Sequence, residues 1–78
     1  MRVVLYSRPG CHLCDVARGM LLAERERTPF DLHEVSIEGD DALELEYGIR
    51  IPVVEIDGRE AFEVELDAAE LARLVRAL

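Results

Sequence analysis

Tyr6-Ser7-Arg8-Pro9-Gly10-Cys11-His12-Leu13-Cys14 is the stretch on which the reading of this chain turns. Just before it, Arg2-Val3-Val4-Leu5-Tyr6 is a short β-branched and aromatic run, nearly all apolar, as a strand buried on both faces would be. Ser7 to Gly10 reads as a loop. From Cys11 onward, Leu13, Val16, Ala17, Met20 and Leu21 recur at the spacing of one helix face. Asp15, Arg18, Glu24, Arg25 and Arg27 fall on the other face. Thr28-Pro29 ends the helix, because a residue before proline avoids the helical region.

The two cysteines therefore lie at a strand-to-helix junction, three residues apart. Helix neighbours at this spacing hold their Cβ atoms about 5–6 Å apart, and a disulfide needs about 3.5–4.5 Å. A small adjustment closes the bond, so dithiol and disulfide can interconvert without refolding. Cys11 sits where the first helical N–H groups lack intrahelical partners, and those groups with the helix dipole favour an anion. Thiolate is the attacking form of cysteine. The pattern predicts Cys11 as nucleophile and Cys14, a turn deeper and less exposed, as the thiol that resolves a mixed disulfide. A zinc site is the competing reading, but it needs four ligands and only His12 and His33 remain.

Further along, Phe30 to Ile37 alternates imperfectly and predicts a strand. Asp41-Ala42-Leu43-Glu44 has capping-box form, with Asp41 as cap of a short helix running to Tyr47 and closed by Gly48. Pro52 to Ile56 and Arg59 to Val64 read as two strands joined by the Asp57-Gly58 hairpin turn. A second capping box, Asp67-Ala68-Ala69-Glu70, opens a helix with Leu71, Leu74, Val75 and Leu78 on one face. The order is β-α-β-α-β-β-α. A strand–helix–strand unit favours a parallel pair and the hairpin adds an antiparallel one, so the prediction is an α/β, four-stranded mixed sheet with three helices on both faces.

The 78 residues predict one domain spanning 1–78. The net charge is −8, with nine Arg and no Lys. A duplex-binding surface needs clustered cations, so nucleic acid is not an expected partner. The N-terminal apolar run is shorter than a signal peptide's, and no segment approaches the ~20 apolar residues of a membrane span. The expected compartment is the cytoplasm, which keeps thiols reduced, and two cysteines there are chemical rather than structural.

Residues 6–14 resemble the glutaredoxin signature, in which a strand ends in Tyr, Ser/Thr, Lys/Arg, Pro and a variable residue before C-x-x-C. Tyr47-Gly48-Ile49-Arg50-Ile51-Pro52-Val53 and the Ile56-Asp57-Gly58-Arg59 turn are similar to the same regions of thioredoxins and glutaredoxins. The resemblance spans essentially the whole chain and implies a thioredoxin fold and thiol–disulfide oxidoreductase activity. It implies that Pro52 is cis and faces the cysteines, and that the Ile51 backbone pairs with an extended substrate. It also places Arg8 beside the thiolate, where it would lower the thiol's pKa or bind a substrate carboxylate. Arg50, just before Ile51-Pro52, would add to that positive spot. His12 stands where glutaredoxins carry Pro or Gly, and a protonated imidazole there would stabilise the Cys11 thiolate.

Glutathione-using glutaredoxins have a Gly-Gly pair and an Asp near the start of the last helix. Here the stretch is Ala61-Phe62-Glu63-Val64-Glu65-Leu66-Asp67, with no glycine pair and two Glu carboxylates where an anionic tripeptide would lie. Only Asp67 partly matches. The expected partners are disulfide-containing proteins, with glutathione or a thioredoxin-reductase-type flavoenzyme as electron donor. No bound cofactor or metal is expected, and the chain is expected to be a monomer. The alternatives are a redox-regulated binding module docking partners at Ile51-Pro52, and metal or cluster handling.

Overall fold

The first strand, β1 (Arg2–Ser7), is the sheet's second member, and the others assemble around it. The computed structural model describes residues 1–76. After β1 come α1 (His12–Arg27), β2 (Asp31–Ser36), α2 (Asp41–Tyr47), β3 (Val53–Ile56), β4 (Arg59–Glu63) and α3 (Ala68–Arg76). The sheet order is β2-β1-β3-β4. β1 runs parallel to β2 and antiparallel to β3, and β3 pairs antiparallel with β4. The predicted element order and mixed sheet are both present. Leu78, placed by its spacing on the inner face of the last helix, lies outside the described residues.

Strand alternation sends side chains to two faces. Val3, Leu5, Val54 and Phe30 join Ala17 and Leu21 of α1 and Leu71 and Val75 of α3 in the larger core. On the opposite face Ile37, Tyr47 and Val53 form a smaller one with Tyr6, Leu43 and Ile51. Because α2 has only seven residues, it covers part of that face, and Val4 and Tyr6 stay half-buried rather than fully enclosed.

The hairpin turn follows from its residues: Asp57 and Gly58 both take positive φ, 50° and 84°, as a two-residue turn matched to strand twist requires. Asp57 also ties the turn to β1, accepting the Arg2 N–H at 2.8 Å. Past the turn, Val54 faces Phe62 while Glu55 faces Glu60, leaving Ala61 as a bulge in β4.

Three local expectations are corrected. The cap of α2 is Asp40, whose carboxylate accepts the Leu43 N–H at 3.0 Å, and Asp41 is already helical. Two adjacent aspartates offer the same acceptor, and the chain turns at the first. Gly48 is right-handed (φ −46°, ψ −46°), so it serves α2 by its missing side chain, since a Cβ would lie 2.4 Å from the Glu44 carbonyl oxygen. Glu24, placed on the outer face of α1, is buried at 7% exposure, where Arg76 of α3 donates to it at 3.0 Å. The capping role of Asp67 is present: its carboxylate accepts the Glu70 N–H at 2.9 Å.

Candidate active site

β1 delivers the chain to the head of α1. Gly10, at φ 77°, turns it, and Cys11 caps the helix in an extended conformation (φ −92°, ψ 107°). The Cys11 sulfur accepts the Cys14 N–H at 3.1 Å, and its carbonyl accepts the Asp15 N–H at 3.1 Å. One orphan donor of the first turn is thus aimed at sulfur. Cys11 and Cys14 are joined as a disulfide, with Cα atoms 5.2 Å apart. Cys14 is 0% exposed, while Cys11 is half-buried with solvent access. His12 and Leu13, between them, are both exposed.

Ile51-Pro52 precedes β3, and its peptide bond is cis. Pro52 is fully buried. The Val64 N–H is shared between the carbonyls of Arg50 (3.0 Å) and Pro52 (2.8 Å), which brackets Ile51. Among the described residues, neither backbone polar group of Ile51 has a hydrogen-bond partner within the chain. Val64 takes φ 68°, unusual for a β-branched residue, and Glu65 N–H donates to the Glu63 carbonyl at 2.7 Å across it. Val64 was not singled out from the sequence, because left-handed positions are signalled by Gly, Asn or Asp and a valine carries no such signal.

Both arginines expected beside the cysteines are engaged by carboxylates. Arg8 donates through Nη2 to Glu44 of α2, and its buried Nε has no hydrogen-bond partner. Arg50 reaches Glu60 at 2.8 Å and Glu63 at 3.0 Å, bonds the Glu46 carbonyl, and lies over the Tyr47 ring at 5.4 Å. In a chain with 17 acidic residues and nine arginines, these cations find carboxylates first. Tyr6 packs on α2: its ring stacks on Tyr47 with centroids 4.2 Å apart, and both hydroxyls donate to Glu55, at 3.4 Å and 3.1 Å. Burial, and then the bonds to Tyr6 and Glu55, push the Tyr47 hydroxyl well above the usual tyrosine range.

Behind the first turn of α1, Arg18 joins Glu34 of β2 (Nε to Oε1, 2.7 Å) and Asp15 (2.8 Å), and Ser7 Oγ donates to Glu34 at 2.7 Å. Chiefly through Arg18, and then Ser7, the Glu34 carboxyl is held below its ordinary range despite partial burial. This network ties the cysteine-bearing turn to the sheet. Among the described residues, no three His, Cys, Asp or Glu side chains converge as a metal-holding group, and no helix is long and apolar enough to cross a membrane.

Comparison with known proteins agrees with this arrangement. The profile of the glutaredoxin-like domain (DUF836) family matches residues 2–76. A protein of Mycobacterium tuberculosis described as uncharacterised is 32% identical over 75 residues, covering 90% of this chain and 77% of that protein. The crystal structure of a structural-genomics target from X. campestris superposes with a TM-score of 0.82 at 38% identity, over 97% of both chains. A mutant thioredoxin from Halobacterium salinarum superposes with a TM-score of 0.66 at 22% identity, covering 97% of this chain and 72% of that one, which shows the shared thioredoxin fold.

Proposed function

The chain belongs to the glutaredoxin-like domain family, and from that membership we propose that it is a thiol–disulfide oxidoreductase working through Cys11 and Cys14. The observation that carries this reading is the asymmetry of the pair. One sulfur has solvent access and receives a helix N-terminal donor, while its partner is enclosed and bonded to it. Once reduced, Cys11 attacks a substrate disulfide to form a mixed disulfide. Cys14 then displaces the captured sulfur, and the internal disulfide closes as two electrons pass to the substrate. The free backbone groups of Ile51 pair with an extended substrate segment beside the cysteines.

The substrates are disulfides in proteins, reduced in the cytoplasm by a monomer with no resident cofactor. Glutathione or a thioredoxin-reductase-type flavoenzyme regenerates the dithiol. Arg8 and His12 take supporting parts: Arg8 fixes the loop before Cys11 to α2 through Glu44, and His12 stands at the solvent edge of the substrate site.

The test is reduction of insulin disulfides with dithiothreitol as the regenerating dithiol. Wild type should accelerate it, Cys11→Ser should abolish the acceleration, and reduced Cys14→Ser mixed with insulin after removal of the dithiol should accumulate a mixed disulfide at Cys11 visible by mass. Undiminished activity in Cys11→Ser would overturn the reading.

A further inference from the structure

Between α1 and the segment that follows β4 lies a groove of about 140 Å³ lined by Leu13, Val16, Met20, Val64 and Leu66, with Glu65 the one charged residue of its lining. Its lining begins within two residues of both cysteines, because Leu13 lies between them in sequence. Val64 is tied by its N–H to the Pro52 carbonyl. Leu13, Val16 and Val64 remain 39%, 46% and 41% exposed. Val64 is presented there by a left-handed backbone.

The charge beside the groove is equally specific. Glu63 is held by Arg50 and Glu44 by Arg8. The Glu65 carboxylate has no ion-pair or hydrogen-bond partner among the described residues, on a chain of net charge −8. An unpaired carboxylate at an apolar cleft favours a cation alongside a buried apolar group and repels an anion.

Resting on the oxidoreductase reading, we propose that this groove and Glu65 select protein substrates whose reacting cysteine is flanked by an apolar and a basic residue, and disfavour anionic thiols such as glutathione. The apolar side chain fills the cleft between α1 and Val64, and the basic side chain pairs with Glu65. Docking there holds the substrate sulfur at Cys11.

The experiment uses reduced wild-type protein and four short peptides whose cysteine carries a thionitrobenzoate group. They combine Leu or Ser on one side of the cysteine with Arg or Glu on the other; the same adduct of glutathione is a fifth substrate. Cys11 thiolate bonds the peptide sulfur as the bond to thionitrobenzoate breaks, and that thiolate leaves with the electron pair and absorbs in the visible. Cys14 then releases the peptide thiol and closes the disulfide, its proton passing to the solvent or the departing thiol.

The Leu/Arg peptide should react at least tenfold faster than the Ser/Glu peptide and the glutathione adduct, with the charge preference shrinking at high salt. Glu65→Lys should reverse the Arg-over-Glu preference, and Val64→Gly should weaken the Leu-over-Ser preference. Equal rates for all five, a fastest reaction with glutathione, or preferences unmoved by both variants would overturn the proposal while leaving the oxidoreductase reading intact. Failure to react with any of them, and with the small symmetric disulfide of thionitrobenzoate, would instead defeat that underlying reading. A wild-type dimer that dissociates on Val16→Asp in sedimentation would assign the groove to a second copy and overturn the proposal as well.

Discussion

The backbone N–H of Cys14 points at the sulfur of Cys11 across 3.1 Å, so the residue that closes the disulfide also supplies the donor that steadies its partner. The two thiols of the reduced protein are therefore unequal in both access and environment. With limiting iodoacetamide at pH 7, Cys11 is expected to be alkylated at least tenfold faster than Cys14, which should be labelled at a comparable rate only after unfolding. Peptide mass mapping reads the order directly, and equal labelling of the native protein would contradict it.

Gly48 gives a stability prediction with two opposing contributions. Alanine is the better helix former by about 1 kcal/mol. A Cβ 2.4 Å from the Glu44 carbonyl, however, forces backbone to move, and such overpacking costs about 1–3 kcal/mol. Gly48→Ala is thus expected to lower Tm, at about 4–8 °C per kcal/mol for a domain of this size. Circular dichroism during heating checks it, and a raised Tm would show that the site has room.

Acid stability should depend on Glu34. Its carboxyl is held below the ordinary 4.5, first by Arg18 and then by Ser7. A depressed folded value means stabilisation that is full above 4.5 and lost as pH falls through the folded value. Glu34→Gln should therefore flatten the fall in stability below pH 4.5, as followed by urea unfolding between pH 3 and 7. The side chain is partly exposed, so high salt should blunt the difference. An acid limb identical in wild type and variant would sink this expectation.

Val64→Asn is expected to stabilise the fold. Asparagine tolerates left-handed φ, and relieving a β-branched residue there returns about 1–3 kcal/mol. With the side chain 41% exposed, less than about 1 kcal/mol of burial is lost. A net gain of about 1 kcal/mol in urea unfolding, together with slower reaction toward apolar-flanked peptides, is the expected pair of outcomes. Destabilisation would mean that the valine packs more than it strains.

What the sequence made legible was local chemistry. The cysteine pair, its place after β1 and at the head of α1, the Asp57-Gly58 turn and the Asp67 cap each depend on neighbours within a few residues. Side-chain pairings between distant segments were not legible. Arg8 meets Glu44, Arg50 meets Glu60 and Glu63, and Glu24 turns inward because α3 brings Arg76 to it. With 17 acids and nine arginines the residue types allow many matches, and only the folded chain selects among them. Val64 was hidden for another reason: its conformation is imposed by the carbonyls of Arg50 and Pro52, against its own preference.

The enclosure of Cys14 also bears on survival under peroxide. An oxidant arriving from solvent meets only the outer sulfur, and the sulfenic acid formed there has a thiol beside it with which to condense, expelling water. The first oxidised state thus collapses into the disulfide before it can climb to the irreversible acids, and damage is converted into an ordinary step of the working cycle.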